Sequence, residues 1–186
     1  VVYEGQGEPF VMQAGDCVLQ PPQIRHRVLE ASAGLEVIEL GCPAVHETYA
    51  DHQMSLPTLH HDAERSFDGQ RFMRHIAADA DWQAWKWLGR DTTGFEMRDT
   101  DINLATANLA SARVVRGRTG GITEPASHHG ELVFIFVLNG ALQLQGEVIG
   151  QQELHEGDCV TIPAGTIVAL QVATQVEFLE VTLPAM

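Results

Sequence analysis

The chain has 186 residues, 45% of them apolar and 19% charged, an ordinary globular balance with enough length to bury a sizeable core without disulfides. Its 25 acidic and 11 basic side chains give a net charge of −14, which speaks against nucleic-acid binding, where phosphates need clustered Lys and Arg, and against an anionic membrane surface. The longest unbroken apolar run, Leu132 to Leu138, has seven residues, against about 18 needed to span a bilayer. Three cysteines, Cys17, Cys42 and Cys159, do not read as a disulfide framework, so a reducing, cytoplasmic location is expected. Residue 1 is Val, and Val1-Val2-Tyr3-Glu4 already reads as strand, so the true beginning is expected to lie upstream.

Along the chain, the first notable block is Gly15-Asp16-Cys17-Val18-Leu19-Gln20-Pro21. It recurs as Gly157-Asp158-Cys159-Val160-Thr161-Ile162-Pro163, with five of the seven positions identical. With a one-residue slip, Leu35-Glu36-Val37-Ile38-Glu39-Leu40-Gly41-Cys42-Pro43 also matches Val176-Glu177-Phe178-Leu179-Glu180-Val181-Thr182-Leu183-Pro184. The chain therefore reads as two copies of one unit, the first cut short at its N-terminus. Each copy reads as β structure, with short apolar or alternating runs between Gly, Pro, Asp and Asn. Ile24, His26 and Val28 share a period of two and are expected to face inward, with Arg25 and Arg27 outward.

The middle segment, residues 44–100, holds five of the nine histidines (His46, His52, His60, His61 and His75) and all three tryptophans. It is expected to be an ordered connector with a short helix around Asp79–Leu88, because Trp82, Trp85 and Trp87 are too apolar for a free linker. The tryptophans read as core packing rather than as a pocket wall. His60-His61 has no ligand spacing and reads as a solvated pair. In the second copy, strands are predicted at Ala112–Arg118, Glu131–Leu138, Ala141–Gln145, Cys159–Ile162, Thr166–Val172 and Val176–Leu183, with a hairpin turn at Asn139-Gly140. Cys17 and Cys159 occupy one repeat position and read as small packing residues. Arg90, Arg98, Arg113, Arg116 and Arg118 gather near the start of this copy. A guanidinium at a barrel mouth can clamp a carboxylate, although pairing with surface carboxylates is the commoner use.

These blocks resemble the cupin superfamily. Gly15-x5-Pro21-x-Gln23-x2-His26 resembles the family's second motif, G-x5-P-x-G-x2-H-x3-N, with Gln23 for the Gly and Glu30 for the Asn. Gly157-x5-Pro163-x-Gly165-x2-Val168 resembles it with Val168 in place of the His. Ser127-x-His129-x3-Val133-x6-Gly140 resembles the first motif, G-x5-H-x-H-x3,4-E-x6-G, with Ser127 for the first His and Val133 for the Glu.

The resemblance implies an all-β fold of two antiparallel jelly-roll barrels in tandem. Its parts would be residues 1–43 as the C-terminal part of the first barrel, the connector 44–100, and residues 101–186 as the second barrel. It implies a divalent transition metal (Fe, Mn, Ni, Zn or Cu) held by inward imidazoles and a carboxylate, a mixed N/O set that suits such ions. The candidate ligands are His26 in the first copy and His128, His129 and Glu131 in the second. Glu131 shares strand parity with His129, and a bent turn at Gly130 lets both imidazoles reach one ion. The implied activity is metal-dependent, dioxygenase-like or decarboxylase-like chemistry on a small organic acid. The alternative is a non-catalytic cupin, either ligand-binding or a scaffold, because Ser127, Val133 and Val168 are all losses of donors. The expected partners are a small-molecule ligand and a second copy in a homodimer, with neither nucleic acid nor membrane.

Overall fold

The computed structural model describes residues 1–42 and 49–186; Pro43, which ends one repeat block, and His46 lie outside the described residues. The chain divides into two compact units, Val1–Ala77 and Ala78–Met186.

The first unit is built from short strands: β1 (Val2–Tyr3), β2 (Cys17–Leu19), β3 (Arg25–Arg27), β4 (Tyr49–Ala50), β5 (Ser66–Phe67), β6 (Gln70–Arg71) and β7 (Met73–His75). They form three small sheets, β1-β3-β4, β2-β7 and β5-β6. Its apolar centre is Tyr3, Ile24 and Phe67, with Val1, Phe10, Val18 and Phe72 packed against it. Residues 35–40 carry no strand, and Leu35, Val37, Ile38 and Leu40 are exposed. Their counterparts at 176–181 are strand because partners lie on both sides of them. The described residues of the first unit supply no such partners, and a strand without a ladder leaves its backbone groups to water.

The repeat is nonetheless visible in local geometry. The Asp16 carboxylate accepts from the Gln13 amide at 2.9 Å, and that of Asp158 from the His155 amide at 2.8 Å, closing the same turn before β2 and before its counterpart strand. Gln23 sits at φ 65° where the second copy has Gly165 at φ 78°, so the missing glycine of the motif did not change the backbone path.

The second unit contains β8 (Gln83–Trp87), β9 (Arg90–Asp99), β10 (Ser111–Ile122), β11 (Leu132–Gly146), β12 (Gly150–His155), β13 (Cys159–Ile162), β14 (Ala169–Gln171) and β15 (Val176–Leu183), with one helical turn, α1 (Ile102–Ala105). Both β10 and β11 pair with β15 along their first part and with β14 toward their end, so the antiparallel sheet closes into a barrel. β12 and β13 add to β11, and β9 then β8 add to β10.

Three expectations are corrected here. Residues 79–88 hold a 3-10 turn at Ala77–Asp79 and the strand β8 rather than a short helix. The alternation of β8, with Trp85 and Trp87 buried and their neighbours exposed, is a strand period, and pairing with β9 satisfies it. Asn139-Gly140 is not a hairpin turn: it lies inside the long strand β11, paired with Glu177 and Val176 of β15, directly after a bulge at Leu138. Val133, Ile135 and Val137 are fully buried before the bulge, and Leu142 and Leu144 after it. One extra residue shifts the parity from odd to even and keeps both halves facing the core. Gly140 adopts φ 80°, and a Cβ there would collide with the Gln175 carbonyl. The chain actually reverses at residues 147–149, between β11 and β12. Cys159 is exposed rather than packed inside, because it falls on the outward parity of β13.

The core of this unit fills the barrel. It joins Trp85, Trp87 and Phe95 from β8 and β9 to Val133, Ile135, Leu142, Leu144, Val168, Leu170 and Phe178. Trp85 lies 5.6 Å from Trp87, 5.2 Å from Phe95 and 5.7 Å, edge-on, from Phe178, between ring centroids.

Candidate functional site

The segment between β10 and β11 approaches the barrel as an irregular strand. Ala126 and Val168 face each other in an isolated antiparallel bridge, and Gly165 donates its amide to the His128 carbonyl at 2.9 Å. At the other end the Glu131 amide donates to the Leu183 carbonyl at 2.7 Å. Pinned at both ends, the segment turns Ala126 and His128 inward and leaves Ser127, His129 and Glu131 exposed.

The first motif therefore runs with four spacer residues, Gly120-x5-Ala126-x-His128-x4-Val133-x6-Gly140, and its inward imidazole is His128 rather than His129. The four positions that carry donors in the motifs hold Ala126, His128, Val133 and Val168. Ala126, Val133 and Val168 belong to the apolar core, and the Trp87 indole N–H donates to the Val168 carbonyl at 2.9 Å beside them.

His128 is 3% exposed. Its Nε2 lies 2.7 Å from the Ile162 carbonyl, which can only accept, so Nε2 carries the hydrogen. Nδ1 is buried without a hydrogen-bond partner. The structure thus brings together neither His128 and His129 nor His128 and Glu131 as a donor set. Among the described residues no group of three or more His, Cys, Asp or Glu side chains is placed to hold a metal ion. A divalent metal needs several converging N or O donors. One imidazole with its Nε2 engaged, among three apolar walls, does not fit one.

His26 lies in β3, half-buried, with Tyr3 stacked at 5.6 Å. Burial pushes its imidazole below the usual histidine range, against the opposing pull of Glu39 and a hydrogen bond with the Tyr49 backbone. Burial and the Glu39 charge push the Tyr3 phenol up to about 12. Ile24 is buried as the period-two pattern predicts, but Val28 is exposed, because β3 ends at Arg27. Arg25 is outward and binds Glu4 at 3.2 Å and Asp51 at 3.0 Å.

Four of the five arginines near the second copy have specific partners. Arg116 and Arg118 share Glu96, each at 2.8 Å, and Arg116 together with Arg118 holds that carboxyl below its usual range. Arg98 and Arg116 both stack on Trp82, at 4.3 and 4.0 Å. Arg113 differs: it points into the barrel.

There it meets the group that sequence reasoning missed, Glu180. The inward positions of β15 are Val176, Phe178, Glu180 and Thr182. Glu180, 2% exposed, accepts from the Trp85 indole N–H at 3.2 Å and faces Arg113 at 3.4 Å. Arg113 also faces Asp99 at 3.5 Å and donates to the Met186 carbonyl. One step along, the Ser111 and Thr182 hydroxyls bond at 2.7 Å. Burial pushes the Glu180 carboxyl above the usual range; Arg113 and the Trp85 N–H oppose it. The available signal was a charged residue on the core parity of a strand whose other inward members are Val, Phe and Thr.

No helix among the described residues is long and apolar enough to cross a membrane. A search of curated proteins finds no match to this sequence. Among solved structures, KdgF from Halomonas sp. is similar at 18% identity, over 60% of this chain and 94% of that one, with a TM-score of 0.50. The polyketide cyclase RemF from Streptomyces resistomycificus is similar at 20% identity, over 57% and 75%, with a TM-score of 0.51. A protein described as a predicted oxalate decarboxylase from Thermotoga maritima is similar at 18% identity, over 59% and 97%, with a TM-score of 0.52. At these identities the likeness shows the fold. The family model described as "Cupin domain" matches residues 114–182, the stretch from β10 to β15. The strands of this stretch form the closed antiparallel barrel, a cupin-like fold.

Proposed function

We propose that residues 114–182 are a cupin domain that serves as a non-catalytic scaffold rather than a metal centre. The observation that carries the reading is the set of four inward motif positions, Ala126, His128, Val133 and Val168, which offers one imidazole where the motifs have four donors. The filled barrel favours a scaffold over a ligand-binding module, since Trp85 and Trp87 occupy space that a ligand would need. We read residues 1–43, in the first unit, as the C-terminal part of a first barrel, on the matching Asp16 and Asp158 turns.

Metal-dependent chemistry on a small organic acid keeps one observation in its favour. The His26 Nδ1 is enclosed and lacks a hydrogen-bond partner, at the position where the motif has its His.

Elemental analysis of protein without a His-tag, grown with metal supplement, separates the readings. The expected result is far less than one Fe, Mn, Ni, Cu or Zn per chain, with no change in His128→Ala. About one metal per chain, lost in His26→Ala, would overturn the scaffold reading and place the metal in the first unit.

A further inference from the structure

The barrel contains an ionic row that a scaffold role does not require. Asp99, Arg113 and Glu180 are cross-strand neighbours on β9, β10 and β15, and Ile135 of β11 continues the row beyond Glu180. One guanidinium thus serves two carboxyls, through Nε toward Asp99 and through one terminal nitrogen toward Glu180. Among the described residues, no further charged side chain acts on Glu180, and the other terminal nitrogen of Arg113 donates to the Met186 carbonyl. β8 supplies the Trp85 indole, while its Lys86 is exposed and pairs with Asp91. β10 adds the Ser111 hydroxyl, β11 the apolar Ile135, and β15 itself Phe178 and Thr182. Fully ionised, the row would hold a net charge of −1. An uncompensated charge in a dry interior is costly, and a carboxyl relieves it by keeping its proton. The two carboxyls are not equivalent: the Asp99 side chain is 24% exposed and that of Glu180 is 2% exposed.

We propose that the folded second unit binds one proton on the Asp99–Arg113–Glu180 row, carried by Glu180 as a neutral carboxylic acid, and that this proton makes the barrel a pH-sensitive element. The proposal goes beyond the scaffold reading and does not depend on it. The balance is simple: one proton is released from Glu180 to solvent when the row ionises or the unit unfolds above the ordinary carboxylate range. Because the folded group holds its proton more tightly than the unfolded one, the associated stability is complete below the ordinary glutamate value of 4.5 and is lost as pH rises through the folded value.

The test is unfolding of the full chain from pH 4 to pH 9, followed by tryptophan fluorescence, which reports the second unit because all three tryptophans lie in it. The wild-type unfolding constant is expected to rise relative to that of Glu180→Gln by up to about tenfold per pH unit above pH ~4.5, until Glu180 ionises. In Asp99→Asn, Arg113 is left to one carboxylate, and the rise is expected to shrink. Parallel profiles for wild type and Glu180→Gln would overturn the proposal, and an unchanged profile in Asp99→Asn would overturn the shared-cation argument behind it. Should Glu180→Gln fail to fold, infrared spectroscopy of the wild type at neutral pH decides. A protonated-carboxyl C=O band that vanishes at alkaline pH supports the proposal, and absence of the band overturns it.

Discussion

Trp87→Ala is expected to destabilise the second unit by about 3–5 kcal/mol, the range for deleting a large buried aromatic side chain. Trp87 is fully buried in the cluster that fills the barrel, and its indole spans from Trp85 to the Val168 carbonyl. The lost volume dominates the lost hydrogen bond. The Val168 carbonyl also accepts from the Ala126 amide at 3.1 Å, so it keeps a partner, and the bond itself contributes only about 1 kcal/mol. Trp87→Phe, which retains a ring but no donor, is therefore expected to cost well under half as much. Urea unfolding read by the remaining tryptophans measures both. A Trp87→Ala loss below about 1 kcal/mol would mean that the barrel is not a packed core, and the pocket-wall reading of the tryptophans would return.

Gly140→Ala is expected to cost about 3 kcal/mol or more, from two sources that add. A left-handed backbone costs an L-residue roughly 1–2 kcal/mol. The new Cβ would also meet the Gln175 carbonyl, a backbone atom that cannot rotate away, so β11 and β15 must part beside the bulge. Gly157→Ala separates the two sources. Gly157 has φ 86° with nothing within 4 Å of a Cβ, so only the conformational part remains, about 1–2 kcal/mol. Thermal or urea midpoints of the two variants give the comparison. Equal losses would show that the bulge relaxes around the methyl group and that the contact with Gln175 is soft.

The placement of His128 shows how much of the candidate site could be read from the sequence. The motif spacing brought residues 127–131 to notice, and the loss of donors at Val133 and Val168 was visible at once. Which imidazole faces inward was not. It depends on where an irregular segment changes parity, and that is set by Gly165 and Leu183, residues far along the chain that pin its ends. Glu180 was missed for a related reason. Its strand was predicted with the correct ends, but the sequence of β15 does not say that Arg113, 67 residues earlier, stands opposite. Without that partner an inward glutamate reads as an error of phase.

By itself the sequence determined the β class, the repeat with its Gly-Asp turns, the limits of β13 and β15, and the depletion of metal donors, because each of these rests on residue identity or on contacts within a few positions. The tertiary structure alone decided that Asn139-Gly140 continues a strand instead of reversing it, that residues 83–87 join the barrel, and that 35–40 does not form a strand while its repeat partner does. A local sequence states a preference for extended backbone. Whether that preference becomes a strand, and which face it buries, depends on hydrogen-bond partners and packing neighbours that long-range closure of the barrel brings in.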